Sequence, residues 1–345
     1  MKRAVIASLA AVALLGAGCA GSAERARGSA EVIRLGIFPN LTHAPGFVAL
    51  GTGIFENTLA PTTVETTVFN SGTDAGNALL AGSIDATYIG PGPAASLFLQ
   101  SEGQVAIVSG AVSGGASFVV RKGAGIDGPQ DLPGKKIAIP GLGNTQDIAL
   151  RTWLEENGLT TNDEGGDVSV LEVDNPELPQ LFEAGQLDGA WEPEPYPSLL
   201  VEQGLAEVYQ DEADLWPDGQ FVTTHLLVNT TYMDEHPGIV QRLVQANVEA
   251  IDLLNENPDE AKAAAQAELI KAGAPSLDQA VVDAAWDKLT FTWDPIASSF
   301  QIGAEHAFEL GYLEENPSNI LDVYQLEALN TILEQRGDQP VEVVA

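Results

Sequence analysis

The sequence predicts an α/β chain folded as two similar lobes that flank a cleft, on two observations. The first is an internal repeat: LLAGSIDATYIGPGP at residues 79–93 returns as LFEAGQLDGAWEPEP at 181–195. Both copies carry an apolar pair, a glycine (Gly82, Gly185), an aspartate three residues on (Asp85, Asp188), an aromatic (Tyr88, Trp191) and a proline-rich turn. Each reads as a helix end, a glycine stop, a short buried strand and a loop opening a new helix. Open α/β sheets bind ligands at such loops, beyond the carboxyl ends of their strands. The second observation is length: 345 residues exceed what a single hydrophobic core usually organises.

The chain opens with an export signal at residues 1–18. Lys2 and Arg3 form its positive start, residues 4–15 its apolar stretch and Gly16-Ala17-Gly18 its exit. The small residues before Cys19, the single cysteine of the chain, resemble the lipobox of bacterial lipoproteins, with Gly16 where that motif prefers leucine. The expectation is a lipid on Cys19 and a flexible tether over residues 19–31, rich in Gly, Ser and Ala. No other run approaches the roughly 20 apolar residues of a membrane span. The formal charge is −34, and loss of the signal makes it two units more negative. Such a surface repels phosphate backbones and acidic headgroups, which excludes nucleic acid as a partner.

Residues 32–38 read as a strand and 39–45, PNLTHAP, as the loop after it. Pro45 fits the first turn of a helix capped by Thr42 or His43 and ending at Gly53. A second strand covers 64–69, and Asn70-Ser71-Gly72-Thr73-Asp74 opens a helix. Ser71 and Thr73 can cap that helix as readily as they can touch a ligand, because an uncapped helix start is itself an anion site. A third strand at 84–89 leads through Gly90-Pro91-Gly92-Pro93 to a helix over 94–100. Strand 105–109 is followed by AVSGGAS at 111–117. Strand 137–139 precedes PGLGNTQD at 140–147, where Asn144 or Thr145 caps a helix with apolar residues Ile148, Ala149, Trp153 and Leu154. This loop lacks the third glycine and the lysine of nucleotide-binding loops. Strand 168–173, helix 176–184, strand 187–190 and the loop WEPEPY at 191–196 follow, and strand 221–229 returns to the first lobe. Helices are expected over 237–255, 258–273, 277–290, 296–310 and 323–336.

PNLTHAP, GSIDATYIGPGPA, GLGNTQD and WEPEPY, in this order and spacing, resemble the periplasmic-type binding proteins of nitrate/sulfonate/taurine ABC importers. The resemblance covers essentially everything after the tether. It implies a type II periplasmic-binding-protein fold: two α/β lobes joined by two crossing strands, with the ligand in the interlobe cleft. Residues 32–117 with 223–344 would form one lobe and 118–222 the other. Carried onto this chain, the ligand loops include Asn40, Thr42, Ser71, Gly72, Pro91, Gly92, Ser113, Gly114, Asn144, Thr145, Trp191 and Glu192. The implied partners are a small anionic solute and the permease and ATPase subunits of an importer, with a lipid holding the protein to the outer face of the membrane.

None of the six loops at 39–47, 70–76, 90–96, 111–117, 141–147 and 191–196 contains Lys or Arg. An anion held there relies on helix starts, backbone amides and neutral side chains. That suits a sulfonate, with nitrate or bicarbonate as alternatives. It also permits an amine, a pyrimidine or a zwitterion whose ammonium meets Glu192 or Glu194, although Glu194 reads better as a solvated loop residue. Trp191 either walls the ligand or packs. Arg151, one turn into its helix, is assigned a packing or surface role. A catalytic reading is weaker: no Ser/His/Asp set assembles around His43, and the Cys-rich signature of a pyrimidine-synthesising relative of this fold is absent. No cofactor and no metal are expected.

Overall fold

The computed structural model describes residues 32–344. The expected signal at 1–18, the tether at 19–31 and Cys19 lie outside those described residues. Strands β1 (Val32–Ile37), β2 (Thr63–Val68), β3 (Ala86–Ile89) and β4 (Val105–Gly114) begin the first sheet. Strands β5 (Ala116–Arg121), β6 (Lys136–Ile139), β7 (Ser169–Glu172), β8 (Gly189–Pro193) and β9 (Ala206–Asp211) make the second. Strands β10 (Val222–Asn229) and β11 (Leu289–Phe291) complete the first.

The sheets run β2-β1-β3-β10-β4-β11 and β7-β6-β8-β5-β9. Their orders match over five positions, β11 being an extra edge strand of the first. In each, a central strand pairs parallel with one neighbour, β3 with β1 and β8 with β6, and antiparallel with the other, β10 or β5. The chain crosses between sheets twice, directly from β4 into β5 and again between β9 and β10.

The repeat explains this pseudo-symmetry. Gly82 and Gly185 both stop a helix at positive φ, 66° and 64°, where a Cβ would be strained. Asp85 then accepts from the backbone N–H of Arg34 at 2.8 Å and also ion-pairs with its guanidinium. Asp188 accepts from the backbone N–H of Lys136 at 3.1 Å and pairs with Arg121 at 3.0 Å. Each repeat aspartate therefore pins the neighbouring parallel strand.

Helices α1 (Ala44–Gly51), α2 (Ile54–Leu59), α3 (Gly72–Leu80) and α4 (Pro91–Gln100) belong with the first sheet, and α5 (Thr145–Glu156), α6 (Leu178–Glu183) and α7 (Tyr196–Glu202) with the second. Helices α8 (Thr230–Glu235), α9 (Pro237–Glu256), α10 (Pro258–Lys271), α11 (Gln279–Trp286), α12 (Ala297–Glu309) and α13 (Glu327–Arg336) follow β10. The long amphipathic α9 packs on α1, α2, α13 and β4 through Ile239, Leu243, Val244 and Ile251. Among the described residues no helix is long and apolar enough to cross a membrane.

Several element boundaries differ from the sequence reading, among them that of β4, which runs to Gly114 through the expected loop at 111–117. Helix α4 starts at Pro91 rather than after Pro93, because the first turn of a helix has no partner for its N–H groups and tolerates prolines. The expected helix over 277–290 stops at Trp286, and Leu289–Phe291 instead pairs antiparallel with β4, burying Leu289 and Phe291.

Trp191 packs in the second core. Its ring is stacked on Phe118 with centroids 5.6 Å apart, beside Trp153, and its Nε1–H donates to Glu212 at 2.7 Å. Burial pushes the Glu212 carboxyl up to about 7, against the two indole donors of Trp191 and Trp216. Truncation at Trp191 removes a fully buried side chain and leaves Glu212 only the longer bond from Trp216, at 3.4 Å. Trp191→Ala is therefore expected to cost about 3–5 kcal/mol in chemical denaturation.

Candidate functional site

Three helix starts converge between the two sheets. Helices α3 and α4 point their N-termini from the first lobe and α5 points its own from the second. They meet directly: the Gly72 N–H donates to Asn144 Oδ1 at 3.2 Å and the Gly92 N–H to Thr145 Oγ1 at 3.4 Å. Asn144 is the residue preceding α5, but its side chain makes no cap within its own helix. The carboxylate of Asp147 closes the loop instead, accepting from the Gly143 N–H at 2.8 Å. Thus the polar side chains at the start of α5 serve the other lobe.

Further bonds close the rim. Asn70 Nδ2 donates to Asp174 at 3.0 Å, the Leu41 N–H to the Glu194 carbonyl at 2.7 Å, and the Tyr196 hydroxyl to the Pro39 carbonyl at 2.8 Å. The Tyr312 hydroxyl reaches Asp147 from beyond α12.

A cavity of about 40 Å³ lies at this junction. A single water needs on the order of 10–15 Å³ by the same measure, so the space suits a group of a few heavy atoms. Its wall is made by Asn40, Thr42, His43, Asn70, Gly72 and Gly90 from one side. Pro140, Asn144, Thr145, Gln146 and Asn175 face them, with Phe38, Pro93, Pro193 and Thr223 between. Among the described residues no Lys, Arg, Asp or Glu lines it. Asn40 Oδ1 accepts from both the N–H and the hydroxyl of Thr42, at 3.1 and 2.7 Å, which holds that turn in place. His43 is buried there, its Nδ1 unpartnered among the described residues. Burial pushes its imidazole down to about 3, so it is neutral. Outside the cavity, a wider groove is rimmed by Asp74, Glu172, Asp174 and Glu177.

Of the expected site residues, Asn40, Thr42, Gly72, Asn144 and Thr145 line the cavity. Gly92 stands one contact away through Thr145, Pro91 is buried in the first turn of α4, and Ser71 faces the outer groove. Ser113 and Gly114 are held in the first sheet, where the Thr223 hydroxyl donates to the Gly114 carbonyl. Trp191 belongs to the second core, and Glu192 sits behind Asn175, whose Nδ2 is 3.0 Å from its Oε2. Glu194 corrects the expectation of a solvated residue: it is fully buried, 3.4 Å from Lys288, and accepts from the Ser198 N–H at 3.2 Å. Its proline-flanked strand end turns it inward. Arg151 is buried too, bonded to Asp147, Thr161, Asp163 and Glu164 within the second lobe.

Asn70, Gln146, Asn175 and Thr223 were not singled out by sequence. The Asn-Pro pair at 175–176, opening a helical turn, is the signal that could have marked Asn175.

The matching sheet orders, double crossover and interlobe cavity define a two-lobed solute-binding fold of the periplasmic-binding-protein kind. The alkanesulfonate-binding protein SsuA of Xanthomonas axonopodis pv. citri, solved bound to MOPS, superposes with a TM-score of 0.71 at 20% identity, over 87% of this chain and 99% of that one. The family model of the NMT1-like family matches residues 27–270, and the chain belongs to that family. A protein of Brucella abortus (strain 2308) named as a binding protein is 31% identical over 198 residues, 57% of this chain. The taurine-binding periplasmic protein of Escherichia coli (strain K12) is 25% identical over 198 residues, also 57% of this chain. The match spans 59% of the length of each of these two relatives.

The glycines at the start of α4 are what let the lobes touch. A Cβ on Gly92 would lie 2.7 Å from Ile148 Cδ1 and 3.3 Å from the Gly143 carbonyl, all in the opposite lobe. Gly92→Ala is therefore expected to weaken ligand binding at least tenfold while leaving the denaturation midpoint nearly unchanged, because each lobe alone accommodates the methyl. An equal loss of both would show that the clash lies within one lobe.

Proposed function

We propose that this chain is the solute-binding subunit of an ABC importer, capturing a small anion between its lobes and delivering it to a membrane permease. The observation that carries this reading is the small cavity lined by neutral donors at the meeting point of three helix starts. Helix N-termini offer unpaired N–H groups and partial positive charge to an anion without any cationic side chain. An aliphatic sulfonate or taurine is the favoured ligand class, with nitrate and bicarbonate next, and the named activities of the relatives support that class. Catalysis has no part in this reading.

Ligand capture is a closure: binding energy is realised only when both lobes touch the ligand, so the ligand biases an open–closed equilibrium. Solution scattering should then give a smaller radius at saturation. The outer acidic groove supports a second reading, a cationic or amine-bearing ligand, because carboxylates at the mouth attract cations. A thermal-shift screen over sulfonates, taurine, nitrate, bicarbonate, amines and pyrimidines separates the two. With the best anion, Asn144→Ala and Thr145→Ala should each weaken calorimetric affinity by roughly 1–3 kcal/mol, the scale for losing a bond to a charged group. A cation as the best ligand would overturn the anion reading.

The reading also places the protein at the membrane through a lipid on Cys19. Cys19→Ser should release it from the membrane fraction into the soluble fraction, and a variant retained as firmly as wild type would remove the anchor from the proposal.

A further inference from the structure

Glu192 is fully buried directly behind the cavity wall. Its Oε2 contacts Asn175, which lines the cavity, and its Oε1 has no hydrogen-bond partner among the described residues. Every group packed around it leaves it without a counter-charge. Across the strand pair stands Ser117, whose hydroxyl is 3.4 Å from Lys288. Lys288 itself pairs with Glu194, at 3.4 Å, and Asp211, at 4.0 Å, not with Glu192. Helix α7 presents the Tyr196 phenol, which is spent on the Pro39 carbonyl, and across the cavity His43 is neutral. Glu194, two residues along, is a second buried acid.

An ionised carboxylate here would leave a buried charged oxygen with neither partner nor counter-charge, which is far costlier than leaving a neutral carbonyl unpaired. Burial accordingly raises the Glu192 carboxyl well above its usual range. The amide of Asn175 presents N and O in equivalent positions, so the 3.0 Å contact accommodates either orientation. Against a carboxylate, Asn175 must donate to Glu192 and offers its oxygen to the cavity. Against a carboxylic acid, the Glu192 O–H donates to Asn175 Oδ1 and the amide N–H₂ is free to face a ligand.

We propose that Glu192 is a positioning residue that acts through Asn175: as a carboxylic acid it turns the Asn175 amide N–H toward the cavity, so that capture of an anion is coupled to a proton held at Glu192. The inference rests on the anion reading of the cavity. No bond in the ligand is made or broken. One proton from water joins Glu192 for each anion bound whenever the ligand-free side chain is ionised. The sign follows: affinity is constant below the ligand-free pKa of Glu192 and falls about tenfold per pH unit above it.

The test has a ligand-free arm and a binding arm. At about pH 5, on the plateau where affinity is constant, the infrared difference spectrum of wild type against Glu192→Gln should contain a carboxylic-acid C=O band lost in the variant, and its absence overturns the proposal. In the second arm, methanesulfonate, taurine and nitrate are titrated calorimetrically over about pH 5–9, in buffers of different ionisation enthalpy. Wild type should take up protons and lose affinity as pH rises. Glu192→Gln, whose amide N–H mimics the acid, should take up none and keep the low-pH affinity throughout. Asn175→Ala should bind about tenfold more weakly at low pH and lose the pH dependence. A flat wild-type profile, or a Gln variant weakened at every pH, overturns the coupling, the latter by placing a carboxylate on an ammonium. If none of the three anions binds either protein at any pH, the anion reading falls with the coupling, while the infrared band still decides the state of Glu192.

Discussion

The constraint on which this site depends is that three helix starts meet across a cleft through direct bonds between glycine N–H groups and the side chains of Asn144 and Thr145. Gly72 and Gly92 give their N–H groups to Asn144 and Thr145 of the other lobe. Any Cβ on Gly92, or on Gly90, where it would lie 2.4 Å from Thr145 Oγ1, would hold the lobes apart. Close approach also concentrates the partial positive charges of the helix ends in a space of a few heavy atoms, and such an arrangement favours an anion without a salt bridge.

The few cationic groups explain how a chain of this net charge keeps its cavity free of them. Arg34 and Arg121 are committed to the two repeat aspartates. Arg151 neutralises Asp147 and gathers Asp163 and Glu164. Lys288 covers Glu194. Each cation answers a carboxylate that the fold has buried or placed at a strand end, because an unpaired buried charge is the costlier outcome. What remains for the ligand is neutral hydrogen-bonding chemistry. Glu192 is the buried acid of this neighbourhood that receives no cation, and Glu212 settles under two indole N–H groups instead.

The two α/β lobes were legible in the sequence because the repeat spells out local events, whereas the order of strands within each sheet came from the tertiary structure. A glycine at positive φ ends a helix, an aspartate pins the adjacent parallel strand, and a short apolar run follows. These are decided within a few residues and leave a pattern in the chain. Asn40, Thr42, Gly72, Asn144 and Thr145, which the resemblance places in ligand loops, lie at or beside helix starts and line the cavity.

What only the tertiary structure decided is where side chains beyond those starts point. Glu192 and Glu194 stand two residues apart on a proline-bounded strand end, and nothing in WEPEPY says that both are buried, one beside Lys288 and the other behind Asn175. Trp191 between strand and loop could face either the core or the cleft, and its stacking on Phe118 depends on the pairing of β8 with β5, a strand more than seventy residues away in the chain. Asn175 and Thr223 reach the cavity from a turn and a crossing strand about fifty residues apart. The sequence by itself determined the local elements and the absence of Lys and Arg from the cleft loops. Burial, counter-charges and the convergence of distant residues were decided by packing, because those depend on which surfaces the lobes bring together.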